Sequence, residues 1–192
     1  VRVLVLRGAG GKAFAAGNEI SDFVERDAVR YEERIGALLV ALFRLPQVTI
    51  AAVDGVCVGG GLAVATHCDL RICTPHSRFG YPIARTLGNA LSASIVYRCA
   101  TVFGESLTRE MLLTSRLTSA ERAFAVGAVI AVVDDLDTEV AAVVDGLLGA
   151  SAGLCVLATS RESLGVAGEA AAAVPALDVP ARHAGDWLAC EA

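Results

Sequence analysis

The sequence has no long uninterrupted apolar run, although 55% of its 192 residues are hydrophobic. Its longest apolar stretch, residues 48–65, is broken by Asp54, Gly55 and a run of three glycines. A membrane-spanning helix needs about 20 predominantly apolar residues. We therefore expect a soluble protein without a membrane partner, whose excess Ala and Val fill a packed core or face other subunits.

A basic run is also missing. The 16 Lys and Arg residues and the 21 Asp and Glu residues are spread along the chain and give a formal net charge of −5. Nucleic-acid-binding domains carry a basic patch or stripe that meets the phosphates. This charge pattern argues against nucleic acid as a partner, while a local basic patch remains compatible with a phosphorylated ligand.

The cysteines lack the C-x-x-C spacing of zinc and redox sites. They occur singly within apolar segments, at Cys57, Cys68, Cys73, Cys99, Cys155 and Cys190. Buried free thiols in a reducing cytoplasm explain this pattern. The neighbouring His67, Cys68, Asp69 and His76 fit no common zinc spacing, so we expect no metal.

The length of the chain suits one domain with a sizeable core. No secretory signal peptide precedes the first apolar segment, and we expect a cytoplasmic protein. The sequence begins at Val1 and not at Met. A fragment, or the ordered part of something longer, is the interpretation that this start favours.

Short apolar strands alternate with amphipathic helices, and the connections are short. A long helix is predicted from Ser21 or Asp22 to Arg44, because apolar residues recur there at three- and four-residue steps and Pro46 stops the helix. Thr118 or Ser119 is expected to cap a later helix. This alternation is typical of the α/β class. The predicted strands are residues 1–6, 48–53, 56–58, 70–73, 78–80 and 129–133, and further helices are predicted at 62–67, 90–102, 106–113 and 138–148.

Two glycine-bearing segments follow predicted strands and are the candidate sites. The first is residues 13–19, and the second is the Gly59-Gly60-Gly61 run at a strand-to-helix junction. Glycine lets a ligand approach the backbone, and the start of a helix offers unpaired N–H groups with partial positive charge. Such a junction suits an anion, or a carbonyl oxygen that is becoming one. The spacings of a P-loop and of a dinucleotide fingerprint are both absent, and a tight turn without a ligand is the alternative for each loop.

Taken in order, these segments and three later ones resemble the enoyl-CoA hydratase/isomerase (crotonase) superfamily. The resemblance covers residues 1 to 164. The matching segments are GGKAFAAGNEI at 10–20, IAAVDGVCVGGG at 50–61, CDLRI at 68–72, RFGYP at 78–82, and LTSRLTSAERA at 113–123 followed by GAV at 127–129.

The resemblance implies an α/β fold, a crotonase-like spiral of ββα repeats with a C-terminal helical region. It implies a spiral core over residues 1–150 and a divergent helical, trimer-forming segment over 151–192, without the N-terminal part that the family usually has. It also implies homotrimers or dimers of trimers, a role in fatty acid metabolism, and an acyl-CoA thioester as substrate with no further cofactor. The expected oxyanion-hole donors are the N–H groups of Asn18 and Gly60. Residues expected to line the substrate and CoA site are Lys12, Ala13, Phe14, Ala16, Gly59, Gly61 and Ile83.

The two glutamates of the family's hydratases fall at Ala63 and Ile83. Adding water to a double bond requires a base and an acid, so the sequence predicts a CoA-thioester lyase or isomerase with other acid/base groups. Tyr81, Arg85 and Asn89 are the candidates. Their structural alternatives are, in order, a rim aromatic, a salt bridge and a helix N-cap. The alternative function is a non-catalytic acyl-CoA-binding or assembly subunit.

Overall fold

The computed structural model of the chain describes residues 3–9, 13–16, 28–82, 91–150 and 156–158. In chain order the elements are β1 (Val3–Arg7), β2 (Ala13–Ala15), α1 (Ala28–Phe43), β3 (Val48–Val53), β4 (Val56–Val58), α2 (Gly60–His67), β5 (Leu70–Cys73), β6 (Arg78–Gly80), α3 (Ala93–Phe103), α4 (Glu105–Thr114), β7 (Thr118–Ser119), α5 (Ala120–Ala125), β8 (Ala131–Val132), α6 (Leu136–Gly149) and β9 (Val156–Ala158).

The strands form two sheets that the chain visits in turn. One sheet is wholly parallel in the order β8-β5-β3-β1-β9, and the other has the order β2-β4-β6-β7, with only β6 and β7 antiparallel. Each of the first three units therefore adds one strand to each sheet before its helix. At the turn between β3 and β4, Gly55 has φ 74°, a conformation that glycine adopts without strain. The predicted α/β class and ββα spiral are confirmed.

Alternate residues of the parallel sheet face two cores. In β3, Ala51 and Val53 join the larger core between the sheets and α2 to α5. Ile50 and Ala52 point the other way, into a core that the sheet shares with α6. Successive side chains of a strand point to opposite faces, so a strand buried on both sides is continuously apolar. The α6 residues in that second core, at four-residue steps, are Leu136, Val140 and Val144.

Several predicted boundaries agree with the structure, while the shortest strands were not predicted. The bounds of β3, β5 and β6 are confirmed, and Ser119 caps α5 by accepting a hydrogen bond from the Arg122 N–H. The predicted strand 129–133 is wrong in extent, since only two of its residues form β8. The predicted helix beginning at Ser21 or Asp22 is described from Ala28 onwards. Strand β9 pairs with β1, so the parallel sheet takes a strand from beyond residue 150.

The cysteines of the described ranges are buried free thiols, as the sequence predicts. Burial raises the pKa of Cys68 and of Cys73 to about 12. These thiols are therefore protonated at neutral pH and unreactive. Cys155 and Cys190 lie outside the described residues. Within the described ranges, no helix combines the length and the apolarity that crossing a bilayer requires.

Arg71 of β5 is a buried cation whose hydrogen bonds go to backbone carbonyls. Its Nε donates to the Ala128 carbonyl (2.6 Å) and its Nη1 to those of Ala65 (3.1 Å) and Cys68 (2.6 Å). Its Nη2 donates to the Asp69 carbonyl (3.0 Å). The guanidinium thus ties the end of α2 to the segment between α5 and β8.

Replacing Arg71 with Met should destabilise the fold. We expect a loss of about 3 kcal/mol in the free energy of unfolding, because three buried carbonyls and one partly buried carbonyl lose a charged donor. Urea unfolding followed by circular dichroism measures this loss. Arg109→Met is the matched control, since Arg109 is exposed and pairs with Glu105 one helical turn away. It should leave the midpoint nearly unchanged, and equal shifts in the two variants would contradict the assignment.

Candidate functional site

The two glycine-bearing segments begin at the same edge of the second sheet. Strands β2 and β4 are parallel neighbours, with Ala13 opposite Val56 and Ala15 opposite Cys57. Because parallel strands end at the same edge, the chain leaving β2 and the chain leaving β4 emerge side by side. The structure therefore brings Ala15, where β2 ends within the first segment, next to the glycine run of the second segment.

Gly59 is the last residue of its segment that pairs with β6, and it is also the N-cap of α2. Its N–H donates to the Gly80 carbonyl (3.1 Å), which extends the pairing of β4 with β6 by one bond. Its own carbonyl accepts from the Ala63 N–H (3.0 Å), the first backbone bond of α2. Gly59 has φ 56° and ψ −125°, a conformation that essentially only glycine adopts.

The Gly60 amide is the first N–H of α2. No backbone carbonyl among the described residues accepts a hydrogen bond from it. The first N–H groups of a helix have no partner within the helix and carry partial positive charge. A half-buried, preorganised donor of this kind suits an oxygen that gains negative charge during a reaction.

The opposite end of α2 is held by cations. Arg98 Nε donates to the Thr66 carbonyl (2.7 Å), and the Arg71 guanidinium binds two further carbonyls at this end. Positive charge at a helix C-terminus is favourable because the carbonyl ends are partly negative. The helix that presents the Gly60 amide is thereby fixed at its far end.

Of the residues predicted to line the substrate site, Ala13 and Phe14 are half-buried in β2, and Ala16 is exposed directly after it. Gly61 is buried under β2. Lys12, Asn18, Ile83, Arg85 and Asn89 lie outside the described residues, so their predicted roles stay predictions.

Ala63 and Tyr81 are both buried. The Ala63 carbonyl accepts from Thr66 Oγ1 (2.9 Å) and from His67 Nδ1 (2.7 Å) in addition to its place in the helix. Tyr81 lies in the larger core with 0% of its surface exposed, so it is not the rim aromatic of the structural alternative.

The Tyr81 hydroxyl makes no hydrogen bond with any described residue. Burial, reinforced by Cys99, raises the Tyr81 pKa well above its ordinary value. The Thr66 hydroxyl is near enough to oppose that rise without meeting hydrogen-bond geometry. Tyr81 is therefore a neutral phenol whose O–H has no acceptor among the described residues.

The His and Asp residues that the sequence brings close together have separate partners. Asp69 accepts from the N–H and the hydroxyl of Thr49 (both 2.8 Å), and His76 lies 3.0 Å from an Asp54 oxygen. Burial lowers the pKa of His67. Over the described ranges, no three His, Cys, Asp or Glu side chains converge as metal ligands would.

Two residues that position the site, Thr66 and Arg98, were not singled out by sequence analysis. They are 32 residues apart in the chain and are joined by a hydrogen bond from the Arg98 side chain to the Thr66 carbonyl. Ala15 belonged to the first candidate segment, but its contact with Gly61 of α2 was not predicted. No periodicity or spacing in the sequence signals such contacts. The CDLRI segment did mark the Arg71 region, without indicating that its guanidinium holds α2.

The sequence profile of the family described as "Enoyl-CoA hydratase/isomerase" matches residues 1–160. The chain belongs to that family. Among curated relatives, a short-chain-enoyl-CoA hydratase of Clostridium acetobutylicum is 33% identical over 138 residues, which is 70% of this chain and 52% of that protein. A carnitinyl-CoA dehydratase of Salmonella arizonae is 34% identical over 131 residues, which is 67% of this chain and 50% of that protein. The chain thus spans about half the length of the curated relatives it matches.

Solved structures agree with this assignment. An enoyl-CoA hydratase/carnithine racemase from Magnetospirillum magneticum superposes with a TM-score of 0.72 at 35% identity, covering 77% of this chain and 57% of that one. An enoyl-CoA hydratase from Bacillus anthracis gives a TM-score of 0.70 at 30% identity, covering 76% and 58%. The predicted crotonase-type fold is confirmed.

Substitution of Gly59 tests whether the strand-to-helix junction requires a glycine conformation. Gly59→Ala should lower the free energy of unfolding by about 1–3 kcal/mol, because a Cβ strains this backbone conformation. Gly146→Ala is the control, since Gly146 lies exposed in α6 with open space around the position of a Cβ. It should stabilise by about 0.4–1 kcal/mol. Chemical unfolding of both variants measures the difference, and a neutral Gly59→Ala would refute the strained junction.

Proposed function

We propose that the protein binds an acyl-CoA thioester and stabilises an enolate through two backbone N–H groups, those of Gly60 and Asn18. The observation that carries this proposal is the Gly60 amide at the start of α2, beside the end of β2, which donates to no backbone carbonyl of the described residues. Asn18 follows three residues after Ala15, the last residue of β2. An extended chain advances at most about 3.3–3.6 Å per residue, so three residues are enough for the chain after Ala15 to bring position 18 near the Gly60 amide.

The family supports a thioester ligand. Two relatives are named for CoA esters, a short-chain-enoyl-CoA hydratase and a carnitinyl-CoA dehydratase. A thioester carbonyl gains negative charge when the neighbouring carbon becomes nucleophilic, and preorganised N–H donors stabilise that charge. Removing one such donor elsewhere lowers kcat by about 10²–10³-fold.

The proposed reaction is a lyase or isomerase reaction and not ordinary hydration. Ala63 and Ile83 occupy the positions of the family's two glutamates and carry no group that transfers a proton. Decarboxylation of a substrate carboxylate forms an enolate when the C–C bond to the carboxylate breaks, CO₂ leaves and the electron pair of that bond moves toward the thioester carbonyl. No base is needed in that step, and a proton is needed only afterwards on the α-carbon. Tyr81 keeps its proton because burial raises its pKa, so it cannot act as a base, and its phenol is available as a hydrogen-bond donor.

The proposed assembly is a homotrimer or a dimer of trimers in the cytoplasm. Exposed apolar side chains on the described helices, such as Tyr97 (75% exposed) and Leu113 (81% exposed), support subunit contacts.

A second candidate is an acyl-CoA-binding subunit without catalysis. The buried Ala63 favours it, because α2 is retained while the acid at that position is missing. Isothermal titration with acyl-CoA, beside a turnover screen of thioesters, separates the two candidates. Binding without turnover of any thioester supports the second.

Gly60→Pro tests the proposed donor directly. Proline lacks an N–H but is well tolerated at the first position of a helix, which is where Gly60 lies. We expect a fall of about 10²–10³-fold in kcat for the thioester that the screen identifies, with little change in melting temperature. Gly60→Ala keeps the N–H and is the matched control. Equal activities in the two variants would exclude the Gly60 amide as a donor.

A further inference from the structure

Ala15, the last residue of β2, lies against the start of α2. A Cβ built on Gly61 would lie 2.3 Å from the Ala15 carbonyl oxygen, 2.6 Å from its Cβ and 2.8 Å from its carbonyl carbon. Real Cβ atoms essentially never come within 3.0 Å of such atoms. Gly61 does not have a positive φ. Glycine is therefore required at position 61 by space, and the backbone of β2 occupies the place of its side chain.

This contact joins the two segments that carry the proposed donors. Gly61 directly follows Gly60, and Ala15 precedes Asn18 by three residues. The ladder between β2 and β4 shifts register between Ala13 and Ala15. Such an irregularity bends a strand and re-aims its end, here toward the start of α2.

We propose that Gly61 and Ala15 are positioning residues that fix the start of α2, and with it the direction of the Gly60 amide, against the end of β2. This inference rests on the proposed function. Gly61 acts through the backbone that it touches and not by contacting substrate. Its missing side chain lets the end of β2 lie directly against the start of α2, next to the Gly60 amide.

The size of the displacement decides the expected effect. A Cβ at position 61 must move its neighbour by about 1 Å to reach ordinary van der Waals contact. Oxyanion donors act at 2.7–3.1 Å from the oxygen, so about 1 Å is enough to lose one of the two hydrogen bonds. A misplacement of about 1 Å can cost on the order of 10²-fold in rate.

Gly61→Ala and Gly36→Ala form a matched pair of variants. Both glycines are in helices, and a Cβ at Gly36 would meet nothing within 4 Å. The probe is cinnamoyl-CoA, whose conjugated thioester absorbs at longer wavelength when its carbonyl oxygen is polarised. The readouts are the dissociation constant and the absorption maximum of the bound probe, which a change in stability alone does not move.

We expect the unsubstituted protein and Gly36→Ala to give the same shift to longer wavelength. Gly61→Ala should lose more than half of that shift while still binding the CoA portion. Ala15→Val enlarges the side chain of β2 that lies against the start of α2. It serves as the second variant if Gly61→Ala does not fold. A smaller loss of the shift is expected there.

The outcomes separate the inference from the function on which it rests. If folded Gly61→Ala gives the full absorption shift, the positioning role is overturned and the thioester proposal stands. If Gly61→Ala does not fold, a full shift in Ala15→Val has the same meaning. No shift with the unsubstituted protein overturns the proposed oxyanion hole, and the positioning role falls with it.

Discussion

The hydrogen bond from the Gly59 N–H to the Gly80 carbonyl fixes the last point at which β4 is paired with β6. The arrangement of the Gly59 and Gly60 backbone groups follows from where this pairing ends. The Gly59 amide is used by the sheet, its carbonyl starts α2, and the next amide, that of Gly60, is left without a backbone partner among the described residues. A residue with a side chain would strain this corner, because Gly59 has a conformation essentially reserved for glycine. The free amide is thus a geometric consequence of how the strand ends.

The surrounding structure holds this corner from several sides. Strand β2 packs closely against the start of α2 at Gly61. Arg71 and Arg98 donate hydrogen bonds to backbone carbonyls at the other end of the helix. An eight-residue helix gains little stability by itself, so these contacts determine where its first N–H points. The same contacts do not depend on the residue at position 63. An alanine therefore stands at this position while the strand-to-helix junction keeps its geometry.

Much of the fold could be predicted because its signals are local. The bounds of β3 follow from an apolar run between Pro46 and the Asp54-Gly55 turn, and Ser119 has the side chain of an N-cap. Strands β2, β7 and β9 were not predicted, since two or three residues show no alternation of their own. The equally short β4 could be predicted because the Asp54-Gly55 turn directly precedes it. The candidate site follows the same division. The glycine run marked the strand-to-helix junction as a candidate site, and the family resemblance assigned a donor role to Gly60, which stays a prediction. The contacts of Arg71 and Arg98 depend on tertiary structure and leave no spacing to detect.

The central claim is that the Gly60 amide, together with that of Asn18, binds a thioester oxygen. A crystal structure of the protein with a bound acyl-CoA tests it most directly. The account predicts the thioester oxygen at about 2.7–3.1 Å from both amide nitrogens, with the backbone of α2 unmoved. A thioester bound elsewhere, or a Gly60 N–H donating to a carbonyl of the protein itself, would contradict it.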